Sequence, residues 1–167
     1  AYDFVDFLAS CKQHYWQILP LTTTSYGDSP YQSFSARAGN PNFIDFAELI
    51  EAGYLEQRDI DGVYLGSDPS NVDYGAIFGG RRQILDRAAE RFAADKPADF
   101  DDFIQANEDW LIPYCEFMTV KEECGLKAFW EWPAELRTRG EASAKVCADH
   151  PARMLYHQMT QYFFDRQ

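Results

Sequence analysis

Tyr15-Trp16-Gln17-Ile18-Leu19-Pro20-Leu21 is apolar nearly throughout. After three threonines it gives way to Ser25-Tyr26-Gly27-Asp28-Ser29-Pro30-Tyr31-Gln32-Ser33-Phe34-Ser35, a polar, tyrosine-rich run pinned by Gly and Pro. An unbroken apolar run of this length suits a β-strand covered on both faces, as in parallel α/β sheets. A strand that empties into a polar loop is also how barrel folds present ligand-binding groups, because the strand holds the loop in place. The fold expectation is therefore α/β.

Working outward, no second run of comparable quality appears. Phe43-Ile44-Asp45-Phe46 is a short candidate at best. A lone buried strand leaves both rows of backbone groups unpaired, which is costly. The partners of residues 15–21 are thus expected outside this chain or from another copy of it. Two further features suggest a portion of something longer. A helical pattern begins almost at residue 1 without an initiator Met, and the last helical pattern runs to Gln167 without a stop signal.

Helical spacing of Phe4, Phe7, Leu8 and Cys11 predicts an amphipathic helix over 2–13. Residues 47–52 read as a short helix closed by Gly53. Residues 56–76 read as loop, and Asp59, Asp61 and Gly62 within them as solvated, since the full order of a calcium loop is lacking. Ile77, Ile84, Leu85, Ala88 and Phe92 mark a helix ending near Ala94. Asp99 is the expected N-cap of the next, which carries Phe100, Phe103, Ile104, Asn107, Trp110 and Leu111 on one face. Pro113 is expected to bend or restart that helix, which continues to Gly125. Pro133 opens a short helix stopping at Gly140, and Asp149 and Pro151 begin the last one. The chain divides into an early βα unit (1–52), a mainly helical segment (53–140) and a returning helix (141–167).

Charge narrows the partners. With 15 Lys and Arg against 27 Asp and Glu, the net charge is −12. That argues against nucleic acid, which needs a basic stripe, and against anionic membrane surfaces. No apolar run approaches the roughly 18 residues of a membrane span. Cys11, Cys115, Cys124 and Cys147 form no C-x-x-C pair, and His14, His150 and His157 are isolated. No metal and no organic cofactor is expected, and the cytoplasm is the expected compartment. Arg81 and Arg82 read as charges on a helix surface.

The loop offers the richest chemistry. Gly27 and Pro30 shape its turns, and Asp28 and Ser29 offer short polar groups. Tyr26 and Tyr31 each present a flat face with a hydroxyl at its edge, the demand made by a pyranose ring. Two readings stay open: a sugar-binding loop, or a turn capped by Asp28 and Ser29 with its tyrosines packed inward. The acidic residues offer no pair that sequence alone can single out as acid and nucleophile.

The run 15–21, together with Ser25-Tyr26-Gly27-Asp28-Ser29-Pro30-Tyr31-Gln32-Ser33-Phe34-Ser35-Ala36 and Ala38-Gly39-Asn40-Pro41, resembles the amylomaltases. These are the 4-alpha-glucanotransferases, also called disproportionating enzymes. Weaker echoes follow at Val72-Asp73-Tyr74-Gly75, Trp110-Leu111, Tyr114, Phe117-Met118, Trp132-Pro133 and Phe163-Phe164. The resemblance implies a truncated part of a (β/α)8 TIM-type barrel with a mainly α-helical inserted subdomain. It implies alpha-1,4-glucans and maltooligosaccharides as partners, with retaining transfer through an Asp nucleophile and a Glu acid/base. No residue here matches those carboxylates, so no catalytic residue is assigned and the isolated chain is expected to be inactive. Ser29 and Tyr31 match positions that contact sugar near the cleavage point, beside Asp28. Tyr26 matches an aromatic of a secondary glucan surface, and Phe78 falls where some members have a partnering Tyr. Thr22-Thr23-Thr24, Arg37 and Pro151 depart from the pattern. The alternative class is a non-catalytic helical module that binds glucan or protein.

Overall fold

In a computed structural model the chain is described over residues 2–25, 27–68 and 70–167. Helices dominate: α1 (Tyr2–Ser10), α2 (Phe46–Glu51), α3 (Gln57–Ile60), α4 (Tyr74–Ala94), α5 (Phe100–Glu123), α6 (Glu141–Asp149) and α7 (Pro151–Arg166). Single 3-10 turns lie at Pro41–Phe43, Phe129–Glu131 and Ala134–Leu136.

The expected strand over 15–21 does not form among the described residues. The segment is irregular, and Tyr15, Trp16, Ile18, Leu19 and Leu21 are all exposed, Tyr15 to 94 %. The reason is the one that sequence raised: an extended run needs a neighbour for its N–H and C=O groups, and among the described residues only Leu21, at its end, finds a backbone partner, its O accepting from Asn40 N. The described chain is helical rather than α/β. Its one piece of pairing is an isolated antiparallel bridge, Thr22 to Gly39. Phe43–Phe46, the weaker strand candidate, instead closes a 3-10 turn and opens α2, with Ile44 and Phe46 buried.

The core forms where α7 lies against α4 and α5. Phe92 is fully buried at its centre. Its ring meets Phe100 edge-on at 4.8 Å, Tyr54 at 5.3 Å and Phe163 at 5.7 Å between centroids. The Phe100 and Phe163 pairs are edge-to-face and each add about 1 kcal/mol beyond the area they bury, while Tyr54 is tilted. Ile44, Leu49, Leu55, Ile84, Leu85 and Met159 complete this cluster, and Ala38, Leu111, Tyr114 and Cys115 form a smaller one. Part of the high aromatic content is core, but Tyr31, Tyr74, Phe78 and Trp130 are among the many rings left exposed.

Several local expectations are revised. α5 runs unbroken through Pro113 from Phe100 to Glu123. Asp99 stands at its N-terminus but makes no capping bond; its carboxylate instead accepts from Tyr162 Oη at 2.7 Å and from Arg166. Asp149 is the last residue of α6 rather than a cap of α7, and Pro151 is the first residue of α7. The returning helix expected over 141–167 is two, α6 and α7, parted at His150, and α6 carries few large apolar residues to mark it in sequence. Pro133 opens only a single turn. Asp59 is buried rather than solvated: it accepts from Glu56 N at 2.8 Å and from Arg91 Nη1 at 2.5 Å.

Arg81 is no simple surface charge either. It donates to Ile44 O and lies 3.9 Å over the Phe46 ring.

Candidate functional site: a cleft between the tyrosine loop and three helices

The loop from Thr22 to Gly39 is closed at its base by backbone bonds from Thr23 N to Ala38 O (3.1 Å) and from Asn40 N to Leu21 O (2.9 Å). Gln161 of α7 extends this pairing. Its amide accepts from Gly39 N at 2.7 Å and donates to Gly39 O at 3.0 Å, so a buried side chain satisfies both backbone groups as a neighbouring strand would. Side chains stitch the interior: Thr23 Oγ1 and Ser33 Oγ lie 3.1 Å apart, and Ser35 Oγ accepts from Arg37 N and Ala38 N. The loop is thereby a braced element rather than a free one.

Gly27 (φ 88°) and Asp28 (φ 55°) both adopt left-handed backbone, which turns the chain sharply. Asp28 is thereby placed in the wall of a cleft of about 670 Å3. The same wall contains Thr23, Ser25 and Asn40. Opposite them, α4 contributes Tyr74, Phe78 and Arg82, α5 contributes Tyr114, Lys121 and Glu122, and α7 contributes Tyr156 and His157. Asp73 starts α4 by accepting from Ala76 N at 2.9 Å, which fixes the helix register just before Tyr74.

A charged network floors the cleft. Arg153 grips Glu122 with two bonds, Nε to Oε2 at 2.6 Å and Nη2 to Oε1 at 3.1 Å, and reaches Asp86 at 2.5 Å. Arg82 Nη2 lies 2.9 Å from Glu122 Oε2. His157 Nε2 stands 3.2 Å from Glu122 Oε1 but off the line of a hydrogen bond. Burial pushes the Glu122 carboxyl up, yet His157 and Arg153 outweigh it and hold the group down at about 2. With Nε2 misaligned, the two-pronged Arg153 contact is the stronger physical cause. Burial pushes His157 down despite Glu122, so the imidazole is neutral near pH 7. Tyr156 is pushed up to about 12, chiefly by burial, and Tyr114 is also raised by burial. Lys121 Nζ is occupied by Leu126 O at 3.1 Å and Lys127 O at 2.9 Å.

Of the residues singled out from sequence, Asp28 and Phe78 meet in this cleft. Ser29 and Tyr31 do not line it. Ser29 Oγ accepts from Tyr31 N at 3.3 Å within the turn. Tyr31 is 75 % exposed on an adjoining depression of about 420 Å3, shared with Pro20, Thr22 and Ser33. Phe34 borders both hollows. Tyr26 lies outside the described residues. Sequence missed Arg82, Glu122, His157, Tyr114 and Tyr156. The spacing of Tyr74, Phe78 and Arg82 at i, i+4 and i+8 was a usable signal, since such residues share a helix face. Nothing in sequence links Glu122 to Arg153, 31 positions away. Among the described residues no group of three or more His, Cys, Asp or Glu is placed to hold a metal ion, and no helix is long and apolar enough to cross a membrane.

Comparison with known proteins places this architecture. The family model described as 4-alpha-glucanotransferase matches residues 1–167. A 4-alpha-glucanotransferase of Streptococcus pneumoniae is 50 % identical over 170 residues, covering 100 % of this chain and 34 % of its own length. The Clostridium butyricum and Thermus thermophilus proteins of the same name are 38 % and 37 % identical, again over 100 % of this chain and 34 % and 33 % of theirs. An amylomaltase from Streptococcus agalactiae, solved in complex with acarbose, superposes with a TM-score of 0.88 at 44 % identity, over 99 % of this chain and 34 % of that one. The chain thus spans about a third of the length of the relatives it matches. Matched along its entire length by the family model, the chain belongs to the 4-alpha-glucanotransferase family.

Proposed function

We propose that this chain is a portion of a 4-alpha-glucanotransferase that moves alpha-1,4-glucan segments between maltooligosaccharides by retaining double displacement, and that it supplies glucan-binding residues. The observation that carries this is the match of the whole chain to the family together with its likeness to an amylomaltase bound to acarbose. Chemically the cleft suits such a ligand: aromatic faces for the C–H side of a pyranose, and charged and hydroxyl groups for its rim. Asp28 and Phe78 bind glucan within it, Tyr31 contacts sugar in the adjoining depression, and Ser29 and Tyr26 also serve glucan binding. The Asp and Glu that cleave and re-form the glycosidic bond lie outside this chain.

The exposed apolar run 15–21 fits a strand of a (β/α)8 barrel whose neighbours are contributed by the rest of the polypeptide. Residues 1–52 then form an early βα unit, 53–140 an inserted helical subdomain and 141–167 the helix leading back. Four cysteines with no disulfide suit a reducing compartment, and we place the protein in the cytoplasm. The test is disproportionation of maltotriose. This chain alone is expected to give no transfer, whereas a polypeptide of the relatives' full length carrying it is expected to give glucose and longer chains. In that context Tyr31→Ala should lower the transfer rate as well as affinity, because remote sugar contacts also stabilise the transition state. Binding without any transfer by the full-length polypeptide would refute the assignment in favour of a non-catalytic glucan module.

A further inference from the structure

We infer that Arg82 is a ligand-contacting residue of the cleft, donating hydrogen bonds to the hydroxyls of a neutral sugar ring whose face rests on Phe78. This rests on the glucan reading above and adds the group that orients the ring within the cleft.

Three observations converge. First, Tyr74, Phe78 and Arg82 follow one another at four-residue intervals on α4 and all line the cleft. Successive members are separated by about 6 Å along the helix axis, comparable to the width of one pyranose ring. Tyr74 and Phe78 are 52 % and 56 % exposed, so their faces are open to a ligand.

Second, Arg82 is held but not used up. It meets the network through one nitrogen, Nη2, at 2.9 Å from Glu122. Among the described residues its remaining N–H groups meet no protein acceptor. Glu122 does not need Arg82 for neutrality, because Arg153 already binds it with two hydrogen bonds. A guanidinium anchored at one edge, with donors left over in a cleft, is preorganised to grip adjacent hydroxyls.

Third, the charges cancel. Arg82 and Lys121 in the cleft lining are matched by Glu122 and Asp28, Arg153 beneath is bound by Glu122 and Asp86, and burial keeps His157 neutral. The whole chain is at −12. Such a site carries no surplus of positive charge to attract an anion, and its Arg82 is already turned toward Glu122. A neutral polyol needs no such surplus.

The test is calorimetric titration of maltoheptaose into the chain. Arg82→Met keeps the length of the aliphatic stem and is expected to weaken binding at least tenfold, as does Phe78→Ala. Arg82→Lys is expected to recover only part, since an ammonium cannot span two hydroxyls. In the unaltered chain labelled with 15N-arginine, the Arg82 Nε–H resonance should shift on saturation with maltoheptaose, and inorganic phosphate at equal concentration should neither shift it nor displace the sugar. If Arg82→Met binds like the unaltered chain while Phe78→Ala weakens, Arg82 is no contact although the glucan reading stands. If no form binds maltoheptaose, the inference falls, while the glucan reading is decided separately by maltotriose disproportionation in the full-length polypeptide. Should Arg82→Met fail to fold, an unmoved Nε–H resonance in the unaltered chain overturns the inference. Displacement by phosphate overturns the neutral-ligand argument.

Discussion

Gly39→Ala is the sharpest probe of how the loop is fixed to the helices. A Cβ built at Gly39 would lie 2.1 Å from Phe164 Cδ1 and 2.3 Å from Cε1 and Cγ. Carbon atoms sit comfortably at about 3.5–4 Å, so the ring or the backbone has to retreat by more than an ångström. The ring is partly buried on α7, packed against the core. The backbone of Gly39 is tied to Gln161 by two bonds, at 2.7 and 3.0 Å, one turn earlier on the same helix. Relief therefore costs either core packing, about 1–3 kcal/mol, or those two bonds at about 1 kcal/mol each. We expect Gly39→Ala to lower unfolding free energy by about 2 kcal/mol, read from urea titrations with an unchanged slope. Phe164→Ala removes the obstructing ring, so the double variant should be less destabilised than the sum of the singles. Glucan affinity should fall along with stability, because the base of the Thr22–Gly39 loop shifts. A Gly39→Ala protein within about 0.5 kcal/mol of the original would refute the close approach of loop and α7.

Other outcomes are equally definite. Stability should fall in acid: Glu122 has its carboxyl lowered from 4.5 to about 2, so its contribution is complete above about pH 4.5 and disappears as pH falls toward 2. That amounts to about 3 kcal/mol, and Glu122→Gln should flatten this part of the stability–pH curve. Burial lowers His157 below its ordinary 6.5, which adds a loss in the same direction beginning near that pH, because unfolding lets the ring take up a proton. Gly80→Ala should cost about 2 kcal/mol in the same urea assay, since its Cβ would meet Leu65 Cδ2 at 2.6 Å and the Tyr64 carbonyl oxygen at 2.8 Å. A thiol reagent should modify exposed Cys11 quickly and leave Cys115 untouched until unfolding, because Cys115 is 0 % exposed and burial raises its thiol.

Local rules read much of the helical framework correctly from sequence. α4 and α5 were legible because Ile84, Leu85, Ala88 and Phe92, then Phe100 and Leu111, repeat at the helical period and each fills the core. The Gly- and Pro-pinned loop was legible because Gly27 needs left-handed backbone. Family membership was legible because the residues after Tyr15 form one long contiguous pattern. The break between α6 and α7 escaped because α6 has no apolar stripe of its own to set it apart.

Residue order alone thus determined the main helices, the loop, the acidic surface and the kinship to 4-alpha-glucanotransferases, since periodicity, turn chemistry and contiguous motifs are properties of near neighbours along the chain. The tertiary structure decided the rest. It left residues 15–20 of the apolar run without backbone pairing among the described residues, because pairing needs a second segment. It gathered Glu122 of α5, Arg153 and His157 of α7 and Arg82 of α4 into one network, because charges distant in sequence meet only when helices pack.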